Sequence, residues 1–434
     1  MRPIVSIVAL ASQFITETIN AHNRGIDILF SHELLVSFGK AATTSAGFFW
    51  KSGWAFVLGY FISAMIQAFV PKGRLTPFLG GNDAKSVSLA TLFGAISSSC
   101  SFAALATARA LVMKGAHFVA AVAFMFASTN LVIELGILIL IFLGWQFLAA
   151  EILGGLVLIF ISRLLVTWTY PKAWLENARK KVEQESGSDE ESFDWRKRIR
   201  SAEGWRLVGH KFIGEWMMVW EEIAIGFTVA GFVAVLVSDA FWKAIFLAEK
   251  AAESPLYFPV VLENALLAPF VAAATFIGSM GNIPLATVLN SSGVLFAGIM
   301  GFIYSDLMVP PLVEINARYY GWRVALYIAA VMYVSIVCTA LILHYAFALL
   351  EITPESANAV QDVAQFKFDY TFWMNLVALG VIGWLSWLNY SWHRHNKDEA
   401  MEMAGGGKIK KTAALIALGI IAVGNAIHLF LTLS

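Results

Sequence analysis

The sequence has few charged residues and few cysteines, and each shortage excludes a class of protein. Charged residues make up 14% of the 434-residue chain, against about 25% in a soluble domain. Basic and acidic residues balance at 30 each, so there is no basic surface to bind nucleic acid. Only Cys100 and Cys338 are present, which excludes a disulfide framework and a paired-cysteine metal site.

Motifs for nucleotide binding and catalysis are also missing. The chain has no GxxxxGK[ST] phosphate loop, no HExxH zinc motif and no GxSxG nucleophile turn. We therefore expect neither an ATP-driven pump nor an enzyme, and we expect no cofactor. Any energy source is then an ion gradient or a partner subunit. An intramembrane enzyme with Cys100 as its nucleophile, or a channel, is the alternative function.

Apolar stretches are abundant: 59% of the residues are apolar and the mean hydropathy is +0.70. Many stretches approach the ~20 residues that a helix needs to cross a bilayer. This pattern predicts an all-α, polytopic helical protein of the cell (inner or plasma) membrane, with about 8–10 transmembrane segments. Six regions are expected: an interfacial segment or anchor at 1–45, membrane repeat 1 at 46–168, a charged cytoplasmic loop at 169–213, membrane repeat 2 at 214–350, a polar loop at 351–370, and a C-terminal transmembrane pair at 371–434.

Loop charges suggest an orientation. Residues 170–211 carry ten Lys/Arg against eight acids, and residues 394–411 carry five against three. Both loops are therefore expected in the cytoplasm, and the acidic loop 351–370 outside. Those assignments require an odd number of crossings between 211 and 351, where we count four apolar stretches. One interrupted stretch is then expected to re-enter the membrane, and parallel and inverted repeats both stay open.

Small polar residues interrupt four of the apolar stretches, two in each half of the chain. The interruptions are ISSSCSF (96–102), STN (128–130), GSMGNIP (278–284) and SDLMVPP (305–311). Flanking features recur in the same order: LATARALVMKG (105–115) matches LATVLNSSG (285–293), and Gly144-Trp145 matches Gly321-Trp322. This ordered set of matches predicts an internal repeat with broken or re-entrant helices.

Paired breaks at corresponding positions of two halves indicate a transporter's substrate site. A break frees backbone groups that are tolerated only inside protein or beside a watery cavity. The small polar residues suit helix N-caps, where free N–H groups bind anions or stabilise a thiolate. Their alternative role is close helix packing. The expected substrate contacts are Ser97, Ser98, Ser99, Cys100, Ser128, Thr129, Asn130, Ser279, Asn282, Ser305 and Asp306.

Three residues receive more specific expectations. Cys100 is a candidate soft-metal ligand, with small-residue packing as its alternative. Glu134 and Glu314 each follow a break by several residues and are candidates to carry a coupling proton, because intramembrane charges are functional candidates. Arg109, in the same stretch as Cys100, has no partner that the sequence identifies.

The segment SSSCSFAALATARALVMKGAHFVAAVAFMFASTNLVIELGI, together with GSMGNIPLATVLNSSGV in the second half, resembles the predicted-permease family that includes YraQ-type proteins and the ArsP methylarsenite-efflux permeases. The resemblance covers about residues 46–350. It implies a multi-spanning, efflux-type secondary transporter of a small solute, such as a soft metal(loid) species or a small anion. A midplane site between the repeats would alternate in access, and a homo-oligomer or an accessory subunit is left open. Cys100 is the only cysteine at a break, whereas soft metalloids favour several thiolates.

Overall fold

The computed structural model describes residues 32–69, 83–97, 101–113, 116–169, 195–253, 256–275, 277–354, 366, 368–395 and 408–433. All regular structure in these ranges is helical. Seven helices are long and apolar enough to cross a membrane, and the number rises to nine if each of two bent helix pairs is one span. The predicted class, a polytopic helical membrane protein, is confirmed.

The first half of the chain opens with a helix much longer than the bilayer. At 1.5 Å per residue its 38 residues extend about 57 Å, against a hydrocarbon core of about 30 Å. Five further helices follow before the charged loop. The bounds are α1 (His32–Phe69), α2 (Ala84–Ser97), α3 (Ser101–Met113), α4 (Phe118–Asn130), α5 (Ile133–Phe142) and α6 (Trp145–Thr169).

The second half contains the same types of helix with short additions at two places. The bounds are α7 (Trp195–Arg200), α8 (Ala202–Leu236), α9 (Asp239–Ile245), α10 (Ala248–Glu253), α11 (Phe258–Thr275), α12 (Ser279–Ser291), α13 (Phe296–Ile303), a 3₁₀ turn (Tyr304–Met308), α14 (Pro310–Tyr320) and α15 (Trp322–Leu349). Two C-terminal helices complete the described chain: α16 (Tyr370–His395) and α17 (Lys408–Leu433).

The order of elements in the first half recurs in the second. A long helix (α1 or α8) precedes two helices separated by a break (α2–α3 or α11–α12). A pair bent by 41° follows in each half (α4–α5, and α13 with its 3₁₀ turn followed by α14). Each half then closes on a long helix, α6 or α15, that directly follows a glycine in the left-handed region, Gly144 at φ +99° and Gly321 at φ +88°. Glycine adopts this conformation without the steric cost that a Cβ brings.

The two halves pack together along their long helices. Helices α1 and α8 run antiparallel: the Ser45 hydroxyl donates to the Thr228 carbonyl at 3.3 Å, and at the other end the Ser63 hydroxyl donates to Glu215 at 2.7 Å. Helices α6 and α15 meet through a buried pair of serine hydroxyls 2.9 Å apart. Because these contacts join one half to the other, the breaks carried by neighbouring helices are brought into the same region.

Candidate functional site

The first break of the first half touches the second break of the second half at Asp306. Ser101, the first residue of α3, donates its hydroxyl to Asp306 Oδ2 at 3.2 Å. The backbone N–H of Leu307 donates to the other carboxylate oxygen at 2.8 Å. Ser101 is 6% exposed and Asp306 is fully buried. Two breaks that lie 205 residues apart in sequence therefore share a hydrogen bond inside the protein.

A second carboxylate, Glu151, lies on α6 where the 3₁₀ turn of Asp306 meets this helix, and the Tyr304 hydroxyl is 3.4 Å from the Glu151 carbonyl. The Tyr304 hydroxyl donates to the Ala150 carbonyl at 2.7 Å, which attaches the 3₁₀ turn to α6. The charges of Glu151 and Asp306 are close enough to interact. Glu151 is 1% exposed, and neither of its oxygens accepts a hydrogen bond from a described residue. Sequence reasoning did not select Glu151, although a glutamate within an apolar span is the signal that identifies it.

A third carboxylate, Glu222, lies at the break between α11 and α12. A Cβ built on Gly278 would collide with Glu222 Oε2, so this carboxylate touches the backbone of the break. Lys410 of α17 pairs with Glu222, with Nζ to Oε1 at 2.6 Å. Glu222 also interacts electrostatically with Asp306. One lysine therefore compensates Glu222, the most exposed of the three carboxylates.

The polar residues at the second break of the first half do not cap the helix that follows. Ser128 and Thr129 donate to the Met125 and Phe126 carbonyls, and the Asn130 amide also donates to Phe126. They are in the last turn of α4, whereas α5 begins at Ile133. The expectation of N-caps is wrong here because these side chains bond backward to carbonyls three or four residues earlier. The Asn130 Oδ1 atom is buried and accepts no hydrogen bond within the described chain.

The predicted cap at Asn282 is also wrong. Helix α12 begins at Ser279, with Gly278 as its N-cap, so Asn282 is inside the first turn. Its amide donates to the Ile277 carbonyl, and its Oδ1 accepts from the Thr275 hydroxyl, both at 3.2 Å. Asn282 therefore connects the two sides of the break, where backbone groups need partners that water does not supply in a membrane.

The structure also describes three more of the predicted substrate contacts. Ser97 is the buried last residue of α2, Ser279 is half-buried at the start of α12, and Ser305 donates its hydroxyl to the Gly301 carbonyl. Ser98, Ser99 and Cys100 lie outside the described residues, so their roles stay predictions.

The two glutamates expected to carry a proton differ in their surroundings. Glu134 is 2% exposed and packs against Gly59 of α1. The Glu314 side chain is 53% exposed and pairs with Arg318 one helical turn later, at 2.6 Å. The structure therefore places Glu134 inside the helix bundle but does not bring Glu314 to Asp306, because Glu314 faces outward on α14.

A small apolar pocket lies between α3 and α4 of the first half and α14 and α15 of the second. Asn316 is 3% exposed beside it, and its Oδ1 accepts no hydrogen bond from the described residues. The Arg109 guanidinium, whose partner the sequence did not identify, lies 4.5 Å from the centroid of the nearby Tyr319 ring, a cation–π distance. The pocket is lined by Leu105, Ala108, Phe118, Ala121, Val122, Met125, Asn316, Tyr320 and Ile328.

The breaks, their meeting at Asp306 and the pocket lie within a region that a known family shares. A family model described as "Predicted permease" matches residues 37–345. The chain belongs to this permease family. It is 35% identical over 322 residues to "Putative permease Rv2963" of Mycobacterium tuberculosis, a match covering 71% of this chain and 78% of that protein. No solved structure matches the chain.

The permease match includes every helix from α1 to α15 at least in part and stops before α16 and α17. Lys410 therefore comes from a helix outside the shared family region. Within the described part of the permease, no three His, Cys, Asp or Glu side chains are grouped closely enough to hold one metal ion. The three carboxylates are thus neighbours without forming a metal cage.

Proposed function

The chain is a membrane permease, and we propose that it is a secondary transporter that moves a small solute out of the cell across the cell membrane. The observation that carries this proposal is the hydrogen bond between Ser101 and Asp306, which joins a break in each half. Broken helices that converge between two halves are the usual construction of a midplane substrate site. Alternating access would follow from movement of one half against the other.

We also propose that the two halves are an internal repeat. The common order of helices supports this, and so does a reciprocal pattern of contact. Helix α3 of the first half touches α14 of the second, and α12 of the second half touches α5 of the first. These are corresponding pairs with the halves exchanged, as expected when a pseudo-twofold relation connects two related units.

The charges of the site favour some substrates over others. Asp306, Glu151 and Glu222 are neighbours, and Lys410 is the one cation that the described residues place on any of them. A free anion would meet repulsion there, so we propose a cationic or neutral solute in preference to a small anion. A soft metal(loid) species fits this charge and the predicted ligand Cys100. Glu134 is the proposed proton carrier of the two glutamates that the sequence suggested.

Transport into inside-out vesicles tests the proposal. Vesicles with the wild-type chain are offered a panel of soft metal ions, organoarsenicals and oxyanions, and the solute recovered inside is identified chemically. We expect accumulation of a soft or cationic species in unchanged form, and a large loss of rate in Asp306→Asn. The control Glu314→Gln changes an exposed carboxylate and should retain the rate. A chemically modified product would favour the membrane enzyme, and retained transport in Asp306→Asn would refute the proposed site.

The predicted thiol role has its own test in the same assay. Cys100→Ser should abolish transport of a soft species if the thiolate is a ligand. Full transport by this variant would refute the role of Cys100 while leaving the proposed site at Asp306 unaffected.

A further inference from the structure

We propose that Glu151 and Asp306 together bind one exchangeable proton, and that this proton is the ion coupled to transport. The inference rests on the proposed transport function for its coupling step only. It adds to the proposed carrier Glu134 a pair of residues, one from each half of the chain, that holds the coupled proton. The ligand is a proton shared by two carboxyl groups, and the step is a simple gain or loss of that proton at a carboxylate oxygen.

Burial is the first argument. Asp306 is fully buried and Glu151 is 1% exposed. Asp306 receives hydrogen bonds at both oxygens, whereas Glu151 receives none from the described residues. A buried carboxylate without hydrogen bonds or a cation is strongly unfavourable in its charged form. The Tyr304 hydroxyl contacts the backbone of Ala150 and Glu151, and Tyr304 is two residues before Asp306 in the same 3₁₀ turn. Two buried carboxyl groups held at one joint, one of them without a hydrogen bond, are not both ionised, and such pairs hold one proton between them.

The surrounding charges do not remove the need for a proton. No described ion pair involves Glu151 or Asp306. Glu222 adds negative charge near Asp306, and Lys410 is already paired with Glu222. The Tyr304 hydroxyl is committed to the Ala150 carbonyl. Further charged or titratable groups on the elements packed around the pair include Arg163 of α6, Glu263 of α11, Glu314 and Arg318 of α14, Arg323 and His344 of α15, Glu134 of α5 and Arg109 of α3.

A metal ion is a poorer occupant than a proton. Hard cations such as Ca²⁺ take six to eight oxygen ligands. The described residues provide no grouping of three acidic, histidine or cysteine side chains around one point. A proton needs only the two carboxyl groups.

The position of the pair links the proton to movement. Glu151 belongs to α6 of the first half and Asp306 to the 3₁₀ turn of the second, while Ser101 donates across the same joint. With one proton bound, the carboxyl groups can lie together; after its loss, the two negative charges repel each other across the joint. Ser101 directly follows Cys100 in the sequence, so proton release and the predicted substrate ligand adjoin the same break.

Infrared spectroscopy detects the proton shared by Glu151 and Asp306 without needing a transported substrate. The full-length protein in lipid nanodiscs is stepped in pH, and the C=O stretch of protonated carboxylic acids is recorded. We expect a band that disappears as the pH rises and shifts in deuterated water. Glu151→Gln and Asp306→Asn should each abolish or shift it, and Glu314→Gln should leave it unchanged. A band that is absent in the wild type, or one that both pair variants retain unchanged from the wild type, would overturn the inference.

Proton flux provides the second readout. Proteoliposomes containing a pH-sensitive dye are given the panel solute that wild-type vesicles transport. The wild type should show proton movement together with solute, and Glu151→Gln should move solute, if at all, without protons. Proton-coupled transport that survives in Glu151→Gln would refute the inference. If no panel solute is transported, the proposed function fails, while the infrared experiment still decides whether the pair holds a proton.

Discussion

Replacing Gly154 with alanine should displace the tyrosine that attaches the 3₁₀ turn to α6. A Cβ at Gly154 would fall well inside the 3.0 Å limit of real Cβ contacts to the Tyr304 hydroxyl, and it would lie 3.0 Å from the ring carbon that bears this hydroxyl. It would also meet a methyl of Leu343 at 2.5 Å, but that methyl is the end of a flexible side chain. Tyr304 is fully buried and hydrogen-bonded, so it cannot yield as easily.

The stability that Gly154→Ala should lose follows from these contacts. Overpacking a well-packed core costs about 1–3 kcal/mol, whereas alanine in a helix gains about 1 kcal/mol over glycine. Gly380→Ala isolates that gain, because a Cβ on this α16 glycine meets nothing within 4 Å. Gly154→Ala should therefore be about 1–3 kcal/mol less stable than Gly380→Ala. The measurement is chemical unfolding of the purified protein in detergent micelles.

A double mutant tests the assigned cause. Tyr304→Phe alone loses the hydrogen bond to Ala150, worth about 1 kcal/mol. In Gly154→Ala with Tyr304→Phe the hydroxyl collision is absent, although the ring carbon at 3.0 Å remains tight. The double mutant should therefore cost about 1 kcal/mol less than the sum of the two single changes. Strict additivity, or a Gly154→Ala protein as stable as Gly380→Ala, would refute the packing described for this turn.

Three further predictions concern other contacts. Lys410→Met should destabilise the protein by about 1–3 kcal/mol because it leaves Glu222 partly buried without its cation. The double variant Lys410→Glu with Glu222→Lys restores an ion pair and should recover most of this loss in the same unfolding assay. Ser101→Ala should slow vesicle transport because the hydrogen bond between the halves is lost, whereas Ser101→Thr keeps a hydroxyl and should retain the rate; equal rates would contradict this. The Ser86 hydroxyl holds the pKa of Asp83 below 3.8. The difference in free energy of unfolding between wild type and Asp83→Ala should therefore be present above pH 3.8, and it should vanish as the pH falls through the lowered pKa of Asp83 in the folded protein.

The sequence predicted the elements of this structure better than their contacts. Apolar length identifies a span without reference to its neighbours. The two Gly-Trp dipeptides could also be matched from the sequence, and in the structure Gly144 and Gly321 precede the closing helices in the same left-handed conformation. The direction in which a polar side chain bonds was not predictable, since Asn282 suits a cap and a bridge equally well. Glu151 could have been selected as a glutamate within an apolar span, but its position at the joint with Asp306, 155 residues later in the chain, could not be predicted from the sequence.

The C-terminal helix, outside the shared family region, changes the balance of charge at the site. Without Lys410, three neighbouring carboxylates would lie in or beside the buried joint between the halves, and more than one would need a proton. With Lys410 on Glu222, that carboxylate can stay ionised, and only Glu151 and Asp306 are left to share a proton. On this reasoning, Lys410→Met should increase the number of protons that the infrared experiment detects by one, and the extra band should disappear when Glu222→Gln is added. An unchanged spectrum in Lys410→Met would show that the lysine does not set the protonation of the site.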